Sequence, residues 1–467
     1  MLRSCALLAS ACCLFVAVSV AIFSGQAQAA TPETQALLEL LVSKGVISEA
    51  DAQTLLGQVE ARSAKVEEAP EPKTEKRPEW VNRLKWGGDI RLRYQGDFFD
   101  DENAVAGDLE NPDSGTVNTT RDRNRMRYRA RLSLSAAITD SWRAAFRLAT
   151  GNENDPVSTN DTLGDTFNKD GIMFDQAYLE WKPTSSFTLT GGRVPNPWFS
   201  TDLVWDRDLN FEGLALSYNQ ALAPGFSVFA TAGAFPLQEV ELSTEDKWLY
   251  GAQVGMRAGS LKSVSSQLGV AYYLYDNIVG KPNDPAKDPS TTAYTAPGFM
   301  QKGNTLMDIN ATTGEITPAL ASEFKELNLL ATVDIGYWDP VHVVLLGEYV
   351  KNLGFDQDEV SRRRGERVPV EDSGYMLGIA LGHPSANELG KWNAFAFYKY
   401  LEADAVLDAF TDSDFHLGGT NAKGWVLGSE VGLAHNVWLT AKWQSADEIA
   451  GPPLAIDVLQ FDVNAKF

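Results

Sequence analysis

The sequence has little cysteine, little histidine and only one long apolar run. Its three cysteines are Cys5, Cys12 and Cys13, so nothing beyond residue 13 can form a disulfide or a thiolate metal site. The apolar run spans residues 5–23, and no later stretch reaches the roughly 18 apolar residues that a transmembrane helix requires. These absences exclude a disulfide-stabilised domain and a polytopic helical membrane protein.

Basic residues are also outnumbered. The chain carries 40 lysines and arginines against 62 aspartates and glutamates, a formal net charge of -22 at pH 7, so nucleic acid is not an expected partner. The four histidines lie near no G-x-S-x-G or H-E-x-x-H motif, and they are His342, His383, His416 and His435. We therefore expect no catalytic residues, no metal ligands and no cofactor.

The first 29 residues have the features of an export signal. Arg3 precedes the apolar run, and Ala27-Gln28-Ala29 follows it as an A-x-A cleavage site. The run is long enough for an uncleaved anchor, but a small-residue site directly after it favours cleavage between Ala29 and Ala30. We interpret residues 1–29 as a signal peptide.

Two further segments precede the main domain. Residues 30–62 carry leucines on both sides of Gly45, and Ser48 with Asp51 matches an N-cap box. This predicts a short periplasmic helical segment, either a simple stalk or a contact for trimerisation or for the cell wall. Residues 63–84 begin with a charged, proline-rich stretch, which predicts a flexible linker.

From residue 85 to residue 467 the apolar pattern has a period of two. Between Arg125 and Ile138, apolar side chains alternate with arginines and serines, so one strand face is apolar and the other is basic. A soluble sandwich and a membrane barrel both produce this alternation. Periodicity alone does not separate them.

The lengths of the connections do separate the two. Sixteen candidate strands are joined alternately by tight turns and by long loops. The turns are centred near residues 140, 184, 223, 260, 339, 387 and 436, and the loops cover residues 100–122, 152–171, 194–208, 238–247, 277–323, 353–372, 404–422 and 446–453. Short periplasmic turns with long external loops are typical of bacterial outer-membrane barrels. We predict an all-β membrane protein, a 16-stranded antiparallel transmembrane β-barrel with a short N-terminal periplasmic helical segment.

Two further patterns favour a barrel in the outer membrane of a Gram-negative bacterium. Aromatic residues on the apolar face lie close to the short turns, as in an interfacial girdle, and they are Trp142, Trp181, Phe187, Tyr218, Tyr337 and Trp392. The chain ends on an alternating strand that matches a membrane-insertion signal formed by Leu459, Phe461, Val463 and Phe467. The expected partners are outer-membrane lipids, lipopolysaccharide and the barrel-assembly machinery.

Several segments resemble a known family. They read LLELLVSKGVIS at 37–48, DQAYLEW at 175–181, GGR at 191–193, WDRDL at 205–209 and EG at 212–213. These segments resemble the family described as putative porins, over nearly all of the chain after the signal. The resemblance implies a sixteen-stranded outer-membrane channel and leaves a homotrimer open, but it implies no particular solute. Phosphate-selective porins share the plan of an N-terminal helix followed by a barrel.

The residues expected in the lumen suggest how such a channel would select solutes. Arginines on the first three strands would form a pore-lining basic wall, and they are Arg91, Arg93, Arg125, Arg127, Arg129, Arg131, Arg143 and Arg147. If the loop of residues 194–208 folds inward as a constriction loop, Asp202, Asp206 and Asp208 would face that wall and create a transverse field. Two interpretations compete, namely that the arginines pair with carboxylates and that this loop is too short to constrict the lumen.

We therefore expect a porin, a passive diffusion channel for small hydrophilic solutes, with anions among them. The alternative from a different class is a structural protein that tethers the outer membrane to the cell wall or presents adhesive surface loops. A later loop contains Asp404, Asp408, Asp412 and Asp414, which we interpret as a solvated acidic surface in preference to a Ca²⁺ site.

Overall fold

The computed structural model describes residues 42, 44, 48–55, 57, 79–107, 116–241, 244–284, 290–310 and 316–467. The predicted signal peptide, its cleavage site and most of the predicted linker lie outside these residues. Among them, no helix is both long and apolar enough to cross a membrane.

The chain divides into two units, Met1–Glu79 and Trp80–Phe467. In the first unit, residues 49–55 are helical. The Asp51 backbone N–H donates to Ser48 Oγ at 3.2 Å, and the Ser48 backbone N–H donates to Asp51 Oδ2 at 3.3 Å. This reciprocal pair is the predicted N-cap box, which is confirmed.

The second unit is a closed antiparallel barrel of sixteen long strands. In chain order they are β1 Leu84–Phe99, β2 Arg123–Ala137, β3 Trp142–Ala149, β4 Met173–Trp181, β5 Phe187–Pro195, β6 Asn210–Ala223, β7 Phe226–Gln238, β8 Lys247–Gly259, β9 Val264–Asp276, β10 Lys325–Trp338, β11 Val341–Asn352, β12 Ser373–Gly382, β13 Trp392–Leu401, β14 Ala422–Ala434, β15 Val437–Glu448 and β16 Ala455–Lys466. Each strand pairs with its neighbours in the chain, and β16 also pairs with β1, so the sheet has no free edge. The predicted fold class and strand number are confirmed.

Long and short connections alternate around the barrel as predicted. The end with long connections, here called the loop side, carries L1 (100–122), L2 (150–172), L3 (196–209), L4 (239–246), L5 (277–324), L6 (353–372), L7 (402–421) and L8 (449–454). The opposite end is called the turn side. One of its connections, residues 383–391, is longer than the tight turn predicted near residue 387.

Short elements lie before the barrel and within its loops. The short strands are Ala106–Gly107, Thr116–Val117, Asp161–Thr162, Leu306–Asp308 and Pro318–Leu320. The helices are α1 Gln357–Arg364, a four-residue turn Ser290–Ala293 and the 3₁₀ turns Glu79–Arg83, Asp408–Phe410 and Phe415–Leu417. The α1 helix begins after Asp356, whose carboxylate accepts the Glu359 N–H at 3.0 Å, and ends at Gly365 in the left-handed conformation.

Strand residues alternate between an apolar outer face and a polar inner face. On β1, Ile90 and Leu92 are 47% and 50% exposed, whereas Arg93 and Gln95 are 3% and 4% exposed. This period of two lets a strand present apolar side chains to lipid and polar side chains to the lumen.

The aromatic residues near the turn side lie on the outer face. Trp142 stacks on Trp181 with ring centroids 5.7 Å apart, and the centroids of Phe187 and Tyr218 are 4.8 Å apart. Each pair joins neighbouring strands at one level of the barrel. The arrangement fits rings that lie at the interface between membrane and water.

The C-terminal strand completes the barrel. Phe467 and Gly88 exchange two backbone hydrogen bonds of 2.9 and 3.0 Å. The Phe467 ring lies over Gly88, where an added Cβ would come within 2.6 Å of the ring atom Cζ. Phe461 and Val463 of the predicted insertion signal face outward, and Leu459 on the same face is half-buried.

Candidate functional site: the channel interior

All eight arginines of the predicted basic wall lie on the inner face of β1, β2 and β3. Alternation of side chains along each strand brings every second residue to the lumen. In the β1–β2 register, Arg91 lies opposite Arg129 and Arg93 lies opposite Arg127. Four guanidinium groups therefore come from one patch of the barrel wall.

Most of these arginines pair with carboxylates. Arg93 lies 2.8 Å from Asp462 and 2.9 Å from Asp414. The other pairs are Arg125 with Asp97, Arg129 and Arg131 with both Asp89 and Asp208, Arg143 with Glu180, and Arg147 with Asp175. Much of the wall's charge is neutralised locally.

Two arginines of the wall differ from the rest. Arg91 donates a hydrogen bond to the Asn160 side-chain oxygen of L2. In the described part of the chain, neither Arg91 nor Arg127 has a carboxylate at ion-pair distance. These two keep a positive charge that no adjacent carboxylate neutralises.

L3 folds into the lumen and crosses the inner faces of β7, β8 and β9. Trp198 packs over Gly251, where an added Cβ would meet the indole at 2.6 Å, and against Tyr273 with ring centroids 5.2 Å apart. The Phe199 N–H donates to Gln253 Oε1 and Gln253 Nε2 donates to Phe199 O, both at 2.8 Å. Aromatic packing and this paired amide contact fix the loop against the wall.

The three aspartates of L3 face different partners. Asp208 lies 3.2 Å from Arg131 of the basic wall. Asp202 lies 2.7 Å from Lys399 Nζ of β13. Asp206 accepts two backbone N–H groups and, in the described chain, has no cation at ion-pair distance. Of the three, only Asp208 faces the arginine wall.

Burial disfavours the charged form of all three carboxyls, and neighbouring charges decide the outcome. Beside Asp202 the charge of Lys399 outweighs burial and lowers the pKa of the carboxyl. The arginine wall likewise lowers the pKa of Asp208. Burial, together with the negative charge of Asp412, raises the pKa of Asp206 well above its usual value. Asp206 is therefore the L3 aspartate that is most readily neutral.

L7 also folds into the barrel, contrary to the expected solvated surface. Asp412 lies 2.5 Å from Lys399, and Asp414 lies 2.9 Å from Arg93 and 3.3 Å from Lys442. The interpretation of this acidic loop as a solvated surface is wrong, because its carboxylates bind cations of three different strands.

The sequence did contain a signal for this burial. Apolar residues stand between the aspartates of L7, and Val406, Leu407 and Phe415 are at most 5% exposed. Asp404 and Asp408 are each 1% exposed. An acidic loop that is also apolar is better explained by inward packing than by solvation.

L3 and L7 contact each other across the lumen. The Asp206 N–H donates to Phe410 O at 2.7 Å, and Thr411 Oγ1 donates to Leu203 O at 2.9 Å. The rings of Trp205 and Phe410 pack with centroids 6.3 Å apart. We call the layer formed by residues 201–208 and 406–414 the L3–L7 septum.

The septum has a cavity on each side. The inner cavity, of about 630 Å³, reaches the turn side at His342 and His383 and is lined near the septum by Arg91, Arg207 and Asp206. The outer cavity, of about 430 Å³, is lined by aromatic residues and by L5. No residue lines both cavities. The septum therefore separates the two cavities.

The described residues contain no group of three histidine, cysteine, aspartate or glutamate side chains placed to hold a metal ion. His416 is fully buried, and its Nδ1 lies 2.6 Å from Lys302 Nζ. Burial and the charge of Lys302 lower the pKa of His416 to about 3, so the ring is neutral. We interpret it as a structural contact between L5 and L7.

A closed sixteen-stranded barrel with an apolar outer face, a polar lumen and infolded loops defines the class of outer-membrane porins. Residues 62–467 match a family model described as "Putative porin". The chain belongs to this porin family, whose members are channels of the outer membrane. A sequence search of curated proteins finds no match.

Three solved structures of similar fold are distant in sequence. OprB of Pseudomonas putida is 11% identical, over 83% of this chain and 96% of that chain, with a TM-score of 0.49. The trimer form of OmpT of Vibrio cholerae is 12% identical, over 82% and 99% of the two chains, with a TM-score of 0.43. The outer membrane channel DcaP of Acinetobacter baumannii is 12% identical, over 82% and 97%, with a TM-score of 0.43.

Proposed function

We propose that this porin conducts small hydrophilic solutes by passive diffusion and prefers anions. The observation that carries the proposal is the uneven neutralisation of charge in the lumen. Arg91, which lines the inner cavity, and Arg127 have no carboxylate at ion-pair distance among the described residues, whereas the exposed Arg207 of the septum lies 3.5 Å from Asp202. Charges lining a wet pore raise the local concentration of counter-ions.

The carboxylates of the inner cavity that lie beside the septum are more fully compensated. Asp202 and Asp412 contact Lys399, and Asp414 contacts Arg93 and Lys442. Asp206 has no cation beside it, but its raised pKa favours the neutral form. Beside the septum, the inner cavity therefore presents Arg91 as a cation without an ion pair, whereas the carboxylates there are paired or, at Asp206, favour the neutral form.

We also propose an orientation for the barrel in the outer membrane. The loop side faces the cell exterior and lipopolysaccharide, and the turn side faces the periplasm, as in bacterial barrels with this asymmetry of connections. Residues 30–62 form the periplasmic helical segment after removal of residues 1–29, and residues 63–84 link it to the barrel. Leu459, Phe461, Val463 and Phe467 act as the signal read by the barrel-assembly machinery, and a homotrimer is the proposed assembly.

Replacing Arg91 and Arg127 together by glutamine is expected to lower the anion-to-cation permeability ratio by about fivefold or more, since each charge at contact distance in water contributes about 1 kcal/mol. The measurement is the reversal potential of purified protein in planar bilayers under a salt gradient. Arg143→Gln is the matched control, because Arg143 lies on the same inner face but is paired with Glu180 at 2.7 Å. An unchanged ratio in the double variant would remove the arginine wall as the source of selectivity.

A further inference from the structure

The outer cavity has no role in the charge selection described above. Five aromatic side chains line it, and they are Trp205, Phe211, Phe235, Phe299 and Phe410. The ring centroids of Trp205 and Phe211 are 5.0 Å apart, as are those of Phe211 and Phe235. Pockets that bind small organic molecules are predominantly apolar and measure about 300–1,000 Å³. With about 430 Å³ and aromatic walls, the cavity has the size and lining of such a pocket.

Two cations line the cavity, and of these only Lys247 has no ion pair among the described residues. Lys247, the first residue of β8, lines the cavity and is 4% exposed. Its Nζ donates to the backbone oxygens of Thr295 at 3.3 Å and Ala296 at 2.8 Å. Across the described residues, no carboxylate lies at ion-pair distance from this ammonium group. Because an ammonium group has three N–H donors, one of them is left for a further acceptor.

The other charged groups that line the cavity leave its charge positive. Arg193 and Glu212 form an ion pair with each other. Asp408 is 1% exposed, and burial raises its pKa to about 7, so it carries less than a full negative charge near neutral pH. A buried cation in apolar surroundings is stabilised by an anionic partner.

We propose that the outer cavity binds small carboxylates that have an apolar body, with the apolar part against the aromatic walls and the carboxylate on Lys247 Nζ. The cavity would collect such solutes at the outer mouth before they pass the septum. This proposal rests on the channel function, because a bound solute can pass the septum only if the barrel conducts. Binding itself does not require conduction, so the two can be tested separately.

The test is isothermal titration calorimetry on the detergent-solubilised full barrel with three probes. Benzoate has both an apolar ring and a carboxylate, benzyl alcohol has the ring alone, and acetate has the carboxylate with almost no apolar body. Benzoate is expected to bind about tenfold more tightly than either, because a hydrogen bond to a charged group adds to the burial of the ring.

The variants separate the two halves of the site. Lys247→Met should reduce benzoate affinity to that of benzyl alcohol and leave benzyl alcohol unchanged, whereas Lys247→Arg should retain most of the preference. Phe299→Ala changes an L5 residue outside the barrel strands and should weaken benzoate and benzyl alcohol alike. Lys281→Met is the matched control, because Lys281 is an exposed lysine of L5 paired with Glu245 and does not line the cavity.

Two results would overturn the proposal. One is equal binding of benzoate and benzyl alcohol to the unaltered protein, or no binding of either. The other is unchanged benzoate affinity in a folded Lys247→Met barrel or, if that variant does not fold, in Phe299→Ala. Intact benzoate binding by a protein that conducts no ions would instead contradict only the channel function.

Discussion

Lys399→Met is expected to release the L3–L7 septum from the barrel wall and to raise single-channel conductance. Lys399 is 4% exposed and binds Asp202 of L3 at 2.7 Å and Asp412 of L7 at 2.5 Å. Its removal leaves two buried carboxylates to repel each other, and loss of one partner from a buried ion pair costs about 3–5 kcal/mol. The conductance should rise about twofold or more, because a sixteen-stranded barrel without infolded loops encloses an aqueous channel.

The control for this experiment is Lys391→Met. Lys391 lies in the connection at 383–391 and pairs with Glu388 at 2.8 Å on the surface, where an ion pair contributes little. A triple variant with Lys399→Met, Asp202→Asn and Asp412→Asn should return toward the original conductance, because neutral amides need no cation. Original conductance in the single variant would show that Lys399 does not hold the septum.

Deletion of Phe467 is expected to reduce the amount of assembled barrel in the outer membrane. The residue pairs its backbone with Gly88 and covers that glycine with its ring on the outer face. The deletion removes two backbone hydrogen bonds to Gly88, each worth about 0.5–1.5 kcal/mol, so assembly should fall by about fivefold or more. The measurement is the heat-modifiable, folded band in outer-membrane fractions.

Two further variants test whether loss of the aromatic residue at position 467 causes the assembly defect. Phe467→Tyr keeps an aromatic ring over Gly88 and should assemble well, and Lys466→Ala should behave as the unaltered chain does. If the protein without Phe467 assembled at the original level, the C-terminal residue would not contribute to insertion or closure.

The local pattern of the sequence predicted the barrel because a barrel repeats one local rule. Each strand needs side chains that alternate between lipid and lumen, and each end of the barrel has its own kind of connection. The segment from Arg125 to Ile138 shows the first feature and the loop lengths show the second. The same local information predicted the Ser48–Asp51 cap, since its partners are three residues apart.

The interior arrangement could not be predicted in the same way, because its contacts join distant parts of the chain. Asp414 and Arg93 are separated by 321 residues, and no periodicity relates them. The sequence placed the arginines on the inner face of their strands but not their carboxylate partners. It also gave Lys399 no special prominence, although that lysine joins L3 and L7 to β13.

The composition of L7 indicates its position better than its charge does. Its aspartates alone predict a solvated loop. The apolar residues between them, Val406 and Leu407 among them, are buried, and they indicate a loop that packs inward. In barrels of this size, an acidic loop with an apolar interior segment is a candidate for the lumen.

The most direct test of the account is single-channel recording of the purified, folded protein in planar bilayers under a salt gradient. We predict discrete conductance steps with a reversal potential that favours anions. Steps without anion preference would contradict the role given to Arg91 and Arg127. Folded barrels that give no steps would contradict the channel itself and would favour a structural role that tethers the membrane or presents its loops.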